Sequence, residues 1–109
     1  MLAEFIAAGS PTRVSRAIEE FARAQGNVCA LVVPWESNAG SLSLAVTSVK
    51  ADGWAIEHTN LGTIRLIDLG NDSTRVAITP DEQRRAETPQ LGDLFDRFAR
   101  QVQRRFGGS

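Results

Sequence analysis

The chain has 109 residues and a formal net charge of −1, with 42% hydrophobic and 23% charged residues. These proportions are ordinary for one globular domain that is large enough to bury a core. The balanced charge gives no electrostatic basis for binding nucleic acid or an anionic membrane, so neither partner is expected. Cys29 is the single cysteine, which excludes an intrachain disulfide and a cysteine-rich metal site.

The first 26 residues predict a strand followed by a helix. Residues 1–8 are apolar apart from Glu4, which suits a strand and is too short for a signal peptide or an anchor. We therefore expect a cytoplasmic protein. Ser10 can cap a helix that begins at Pro11. Apolar residues then recur at helical spacing as far as Gly26, which can close the helix in the left-handed conformation.

The middle of the chain predicts two more strands with a loop between them. Residues 28–35 (VCALVVPW) read as a buried strand, and Pro34 marks its end or an edge because proline cannot donate to a sheet ladder. Residues 41–50 alternate apolar and polar side chains, which is the pattern of a strand with one buried face.

An Asp-Gly pair at residues 52–53 offers a two-residue turn and predicts a first hairpin. A turn centred there sets three pairs on the face that we expect to point inward: Ala51 with Trp54, Val49 with Ile56, and Thr47 with His58. The apolar residues earlier in this strand are an odd number of positions away, so they would point to the opposite face. We therefore expect a bulge near residues 47–48 to move them: Leu42, Leu44 and Val46.

Residues 62–78 predict a second hairpin whose register has two alternatives. A turn centred on residues 71–72 pairs Asp68 with Arg75 as opposite charges, and this is the register we prefer. It sets Arg65 on an apolar face with four other residues: Ile67, Leu69, Val76 and Ile78. An odd-length loop would instead place Arg65 beside Arg75 and group Ile64, Leu66, Val76 and Ile78. A one-residue slip exchanges the faces, so the register decides which side chains are buried.

The strand at residues 62–69 is apolar on both sides, whichever register it adopts. Ile64 and Leu66 face one way, while Ile67 and Leu69 face the other. In a chain of this length the helices cannot easily cover both faces of a sheet. This observation favours self-association, with or without a ligand.

The last part of the chain predicts a polar connector and then a long helix. Residues 80–88 are polar and have room for one helical turn, and Thr88 is expected to cap the next helix. Residues 89–106 carry an apolar stripe of six side chains: Leu91, Leu94, Phe95, Phe98, Val102 and Phe106. At 1.5 Å per residue this helix is about 27 Å long. We expect one domain over 1–106 and a flexible tail over 107–109.

Taken in order, these elements predict the α+β class. The expected architecture is a curved antiparallel β-sheet packed against a long C-terminal helix, in the order β-α-β(4-5)-α. Local hairpins in the middle and helices towards the two ends lead to this prediction.

Three segments carry a resemblance to a known family: the helix entry at Ser10, Pro11 and Val14, the hairpin at 65–78 and the closing helix at 91–106. In these the chain resembles a short form of the helix-grip superfamily of START-related and polyketide-cyclase-like proteins. Members wrap a sheet around a long C-terminal helix and often hold an apolar ligand between them. This chain has one helix rather than two before the second strand. A TATA-binding-protein-like or other β-α-β(4)-α domain, which can pair through its sheet, is the alternative.

Two functions follow from these patterns. The first is a small non-enzymatic ligand-binding protein of helix-grip type, with an apolar cavity between the sheet and the C-terminal helix. Its candidate ligand-binding residues are His58, Trp54, Arg65, Thr47, Phe95 and Phe98, of which His58 or Arg65 would be the polar point. The alternative is a homodimeric protein-interaction module with a filled core and no small-molecule ligand. No catalytic grouping, zinc spacing or phosphate loop is recognised, so no catalytic residue and no cofactor is predicted.

Overall fold

A computed structural model describes residues 3–26, 28–32, 41–52 and 55–107. Within these ranges the chain forms five strands and three helices: β1 (Ala3–Ala8), α1 (Pro11–Gln25), β2 (Val28–Val32), β3 (Ser41–Asp52), β4 (Ala55–Gly70), β5 (Ser73–Pro80), α2 (Glu82–Glu87) and α3 (Pro89–Phe106). The predicted α+β class is confirmed. None of the helices described is long and apolar enough to cross a membrane.

The five strands form one antiparallel sheet in the order β1-β5-β4-β3-β2. The first strand therefore lies beside the last one, and β1 and β2 are the two edges. Both long helices pack on one face of the sheet, which we call the inner face; the opposite face is the outer face. Strand neighbours from β5 to β2 follow one another in sequence, which is the arrangement that local hairpins produce.

The two long helices begin and end where the sequence predicts. Ser10 caps α1 by accepting a hydrogen bond from the Arg13 amide at 3.3 Å, and Gly26 ends it with a φ of 80°. The rings of Phe21 and Phe98 stack at 5.8 Å between centroids and join α1 to α3. Together with the inner face, these helices bury an aliphatic and aromatic core that includes Ile18, Leu44, Val46, Ile64, Leu66, Val76, Ile78, Phe95 and Val102.

Strand β4 is a single strand of 16 residues where the sequence suggested two. The register between β3 and β4 shifts between Val46 and Thr47, and Leu61 is the extra residue. The register therefore shifts near the predicted position, but the extra residue lies in β4 and not at residues 47–48. Since β3 keeps a single alternation, Thr47 stays on the face opposite to Val46, and the predicted movement of Leu42, Leu44 and Val46 is wrong. The bulge at Leu61 lies where the sequence suggested a gap between two strands. Because β4 continues through it, four strands and not five follow α1.

The pairing predicted for the first hairpin is wrong by two residues. Asp52 is still part of the ladder and pairs with Ala55, so the connection falls at residues 53–54, which lie outside the described residues. As a result Thr47 pairs with Asn60 in place of His58. The ladder extends one residue further than the Asp-Gly signal indicated, so each partner moves by two positions.

The second hairpin turns at the predicted residues, but the strand pairing of the preferred register is wrong. The buried grouping is that of the alternative, and a bulge produces it instead of the odd-length loop that was considered. The turn is at Asn71 and Asp72, which have positive φ angles of 53° and 59°. A second register shift then follows between Asp68 and Gly70, and it leaves Leu69 unpaired. The fully buried residues are consequently Ile64, Leu66, Val76 and Ile78.

The free energies of an exposed ion pair and of side-chain burial explain why this register is adopted. An exposed pair such as Asp68 with Arg75 contributes about 0.2–1 kcal/mol. Full burial of one aliphatic side chain contributes about 1.5–3 kcal/mol. The preferred register would also have turned Arg65 towards the core, where an unpaired charge is very costly. One bulged residue avoids that cost, so Arg65 is exposed on the outer face.

The short helix α2 occupies the polar connector, and its start differs from that of α3. The Asp81 side chain accepts from the Arg84 amide at 3.0 Å and caps α2. Thr88 stands at the cap position of α3, but its side chain makes no capping hydrogen bond. Instead its carbonyl oxygen accepts from the amides of Leu91 and Gly92. The predicted side-chain cap at Thr88 is therefore wrong.

Gly62 is the point of closest approach between β4 and α3. A Cβ atom at this position would lie 2.5 Å from the Thr79 carbonyl oxygen and 2.6 Å from the Phe95 ring. Only a residue without a side chain fits there, because both neighbours belong to packed elements.

Gly62→Ala is expected to lower the free energy of unfolding by about 1–3 kcal/mol, the usual cost of overpacking a core. Urea unfolding monitored by circular dichroism measures this change. The matched control is Thr63→Ala, which alters a half-buried neighbour and should cost about 0.5 kcal/mol or less. Equal stability of Gly62→Ala and the wild type would contradict the close approach.

Candidate functional site

The predicted ligand cavity lies where the structure packs its core. Phe95 and Phe98 are 1% and 2% exposed, and they fill space between α3, α1 and the sheet. Phe95 contacts the backbone at Gly62, and Phe98 stacks on Phe21. Both rings therefore act as core residues in this structure.

Two of the other candidate residues, Thr47 and Arg65, are not brought to these two rings. Thr47 is buried on the face opposite to Val46, and its hydroxyl donates to the Cys29 carbonyl oxygen at 3.5 Å. Arg65 is exposed and lies opposite Ala77 on the outer face, away from α3. The backbone of His58 pairs with Val49. Trp54 lies outside the described residues.

A surface beside β1 carries two large apolar side chains that are the most exposed of those in the described residues. Ile6 is 58% exposed and Leu69 is 47% exposed. They line a recess of about 570 Å³ together with Glu4, Phe5, Arg75 and Gly107. We call the surface formed by Glu4, Phe5, Ile6, Leu69 and Arg75 the β1 patch.

The β1 patch is electrically balanced. The Arg75 Nε atom donates to the Glu4 carboxylate at 2.6 Å, and the Arg75 Nη2 atom donates to the same oxygen. Because this pair is partly exposed, it adds little stability. Its main effect is to hold one positive and one negative group in fixed positions beside Ile6.

Sequence reasoning missed Ile6 and placed Leu69 wrongly. The adjacent apolar pair Phe5-Ile6 gives β1 apolar side chains on both faces, and this signal was present in the sequence. Leu69 was assigned to the buried face because its bulge was not foreseen. Both side chains therefore became visible as a surface feature only in the folded chain.

A second, smaller recess lies between α1, β2 and α3. Its volume is about 190 Å³, and it is lined by Gln25, Val28, Leu94, Arg97, Phe98 and Gln101. Among the described residues that line this recess, Phe98 is the one that the sequence analysis named as a candidate ligand-binding residue. Within the described part of the chain, no group of three His, Cys, Asp or Glu side chains could hold a metal ion.

Comparison with known proteins supplies no relative to guide the assignment. No family model, no curated protein and no solved structure matches this chain. The function is therefore inferred from the chain's own surfaces.

Asp81, the cap residue of α2, forms hydrogen bonds with β4 at its bulge. Its amide donates to the Leu61 carbonyl oxygen at 2.9 Å, and its carboxylate accepts from Asn60 Nδ2 at 2.8 Å. Hydrogen bonds from the Arg84 amide and from Asn60 hold the pKa of the Asp81 carboxyl below its ordinary value. The ionised form is thus the one that stabilises the fold.

Asp81→Ala is expected to lower the free energy of unfolding by about 1 kcal/mol near neutral pH, as loss of a helix cap does. Because the folded pKa is lowered, the contribution of Asp81 is present above its unfolded pKa and is lost as the pH falls through the folded pKa. The gap between wild type and variant should therefore shrink below about pH 4. Urea unfolding at about pH 7 and about pH 3 measures it.

The matched control for this measurement is Asp81→Asn, which keeps a side-chain acceptor for the cap but carries no titrating charge. It should stay close to the wild type near neutral pH. The difference between Asp81→Ala and Asp81→Asn should not change with pH. A gap between wild type and Asp81→Ala that is constant over the acid range would contradict the assigned role of the carboxylate.

Proposed function

We propose that this protein is a homodimeric interaction module whose two copies associate through the β1 patch. In this proposal its core is filled by side chains and it has no small-molecule ligand. The observation that carries the proposal is the exposure of Ile6 and Leu69, which line the same recess. Exposed apolar surface that is framed by polar groups is typical of protein contacts.

The packing of the helices supports an external partner for this surface. The apolar stripes of α1 and α3 are both directed to the inner face, where residues such as Ile18, Phe98 and Val102 are buried. None of the described helices therefore covers Ile6 or Leu69. In a two-fold dimer the same patch meets itself, so one contact would bring the Ile6 side chains of the two copies together and cover both of them.

The charges of the patch are compatible with such a contact. Glu4 and Arg75 already neutralise one another within each copy, so two patches can approach without net repulsion. The patch is small, and a contact of this size belongs with weak or transient interfaces. We expect a dimer that dissociates in the micromolar range.

A second proposal is a ligand-binding function of helix-grip type. It is supported by the 190 Å³ recess, where the apolar Leu94 and Phe98 lie beside the polar Arg97 and Gln101. This volume is below the 300–1,000 Å³ usual for ligand sites, so the ligand would be small. Native mass spectrometry of protein purified from its own host tests the proposal. A reproducible adduct that leaves on denaturation would support it, and a clean spectrum would count against it.

Ile6→Glu is expected to weaken self-association at least tenfold, because it places a carboxylate in the apolar centre of the contact. Sedimentation equilibrium over about 1 µM to 1 mM measures this change. The wild-type mass should rise from 11.8 kDa towards twice that value. The matched control is Gln90→Glu, which adds the same charge at an exposed position of α3 and should leave association unchanged. A wild-type chain that stays at 11.8 kDa throughout would overturn the homodimer proposal.

A further inference from the structure

The free edge of β1 offers backbone groups as well as side chains. β1 pairs with β5 on one side, and no strand among the described residues pairs with its other side. An edge of this kind is a template for another extended chain, because every second residue directs its N–H and C=O outwards. The residues that do so here can be identified from the hydrogen bonds.

One backbone hydrogen bond sets the alternation along β1. The Gly9 amide donates to the Asp72 carbonyl oxygen at 2.6 Å, one step beyond the last pair of the ladder. In an antiparallel pair, positions that exchange hydrogen bonds alternate with positions whose groups point away. The residues bonded to β5 are therefore Ala3, Phe5 and Ala7. The residues whose N–H and C=O groups face the free edge are Glu4, Ile6 and Ala8.

The hairpin between β4 and β5 gives an independent check. Gly70 and Ser73 close the two-residue turn, so the backbone groups of Ser73 point to β4 and not to β1. Ala8 lies opposite Ser73 across the β1–β5 ladder. Ala8 therefore cannot be bonded to β5 at this position, in agreement with the alternation derived from Gly9.

We propose that two copies pair their β1 strands antiparallel about a two-fold axis at Ile6, so that two five-stranded sheets continue as one. This inference rests on the proposed homodimer and specifies how it forms. Ile6 would pair with Ile6 of the partner subunit, and Glu4 with Ala8 of the partner subunit. Every outward-facing backbone group of β1 that was identified above is then used, with two hydrogen bonds for each pair.

The side chains of β1 match this register. The exposed Ile6 meets its own symmetry mate, an apolar pair of the kind that stabilises strands. The two Glu4 side chains stay about 13 Å apart along the strand, because each faces an alanine. An axis at Phe5 would instead set Glu4 against Ile6 of the partner subunit. Charge and apolar character thus both favour the axis at Ile6.

The composition of β1 leaves its edge unprotected. Proline, lysine or inward-pointing charged side chains usually protect an edge strand from pairing with another chain. β1 has the sequence AEFIAA, and its one charge, Glu4, is held by Arg75 of the same copy.

Residue-resolved amide hydrogen exchange on the full chain, followed by nuclear magnetic resonance, tests this pairing. At about 1 mM protein the amides of Glu4, Ile6 and Ala8 should exchange at least tenfold more slowly than at about 1 µM, while those of Phe5 and Ala7 should be protected at both concentrations. If a dimer forms and the first three amides still exchange rapidly, the edge pairing is wrong and the homodimer proposal stands. If the chain is monomeric throughout, both are wrong.

Ala8→Pro provides a second test, because it removes an outward N–H without breaking a bond to β5. Proline is tolerated on edge strands in this position, and an unchanged circular dichroism spectrum verifies the fold. The variant should dimerise at least tenfold more weakly than the wild type. The matched control is Ile67→Thr, a change on the outer face of β4 that should leave dimerisation unaffected. If Ile67→Thr weakens the dimer and Ala8→Pro does not, the copies meet face to face and edge pairing is overturned.

Discussion

The structure depends on which face of β4 is buried. This strand crosses the whole molecule, and its side chains alternate between the two faces of the sheet. The phase of this alternation places Ile64 and Leu66 under the helices and Arg65 in water. Two bulges set that phase, one at Leu61 and one at Leu69. Each inserts a single residue and thereby shifts the pairing for every residue that follows.

The surface of the protein follows from the same constraint. With both helices packed on the inner face, the bulged residue Leu61 is buried in the core, whereas the bulged residue Leu69 has no cover from the described helices. Leu69 becomes a surface residue in this way, and it lines the same recess as Ile6 of the edge strand. A sheet with helices on one face and a weakly protected edge is suited to contact another copy of itself through backbone groups and side chains together.

The sequence predicted the local elements of this protein well and the candidate site poorly. The cap at Ser10, the left-handed Gly26 and the stripe of α3 all act within a few residues, so a linear pattern is sufficient to identify them. By contrast, Phe95 and Phe98 were assigned to a ligand cavity, yet they lie in the packed core. An apolar stripe looks the same whether it lines a cavity or fills one. Ile6 was overlooked because its exposure depends on the end position of β1 in the sheet.

The sequence by itself therefore determined the α+β class and the extents of α1 and α3. Each of these depends on residues that are close together in the chain. Only the tertiary structure decided the register of both hairpins, the burial of Ile64 in preference to Ile67, and the free edge of β1. These features depend on which side chains from distant strands and helices can be buried together. The free energy of that shared burial exceeds the local preference for a turn or an exposed ion pair.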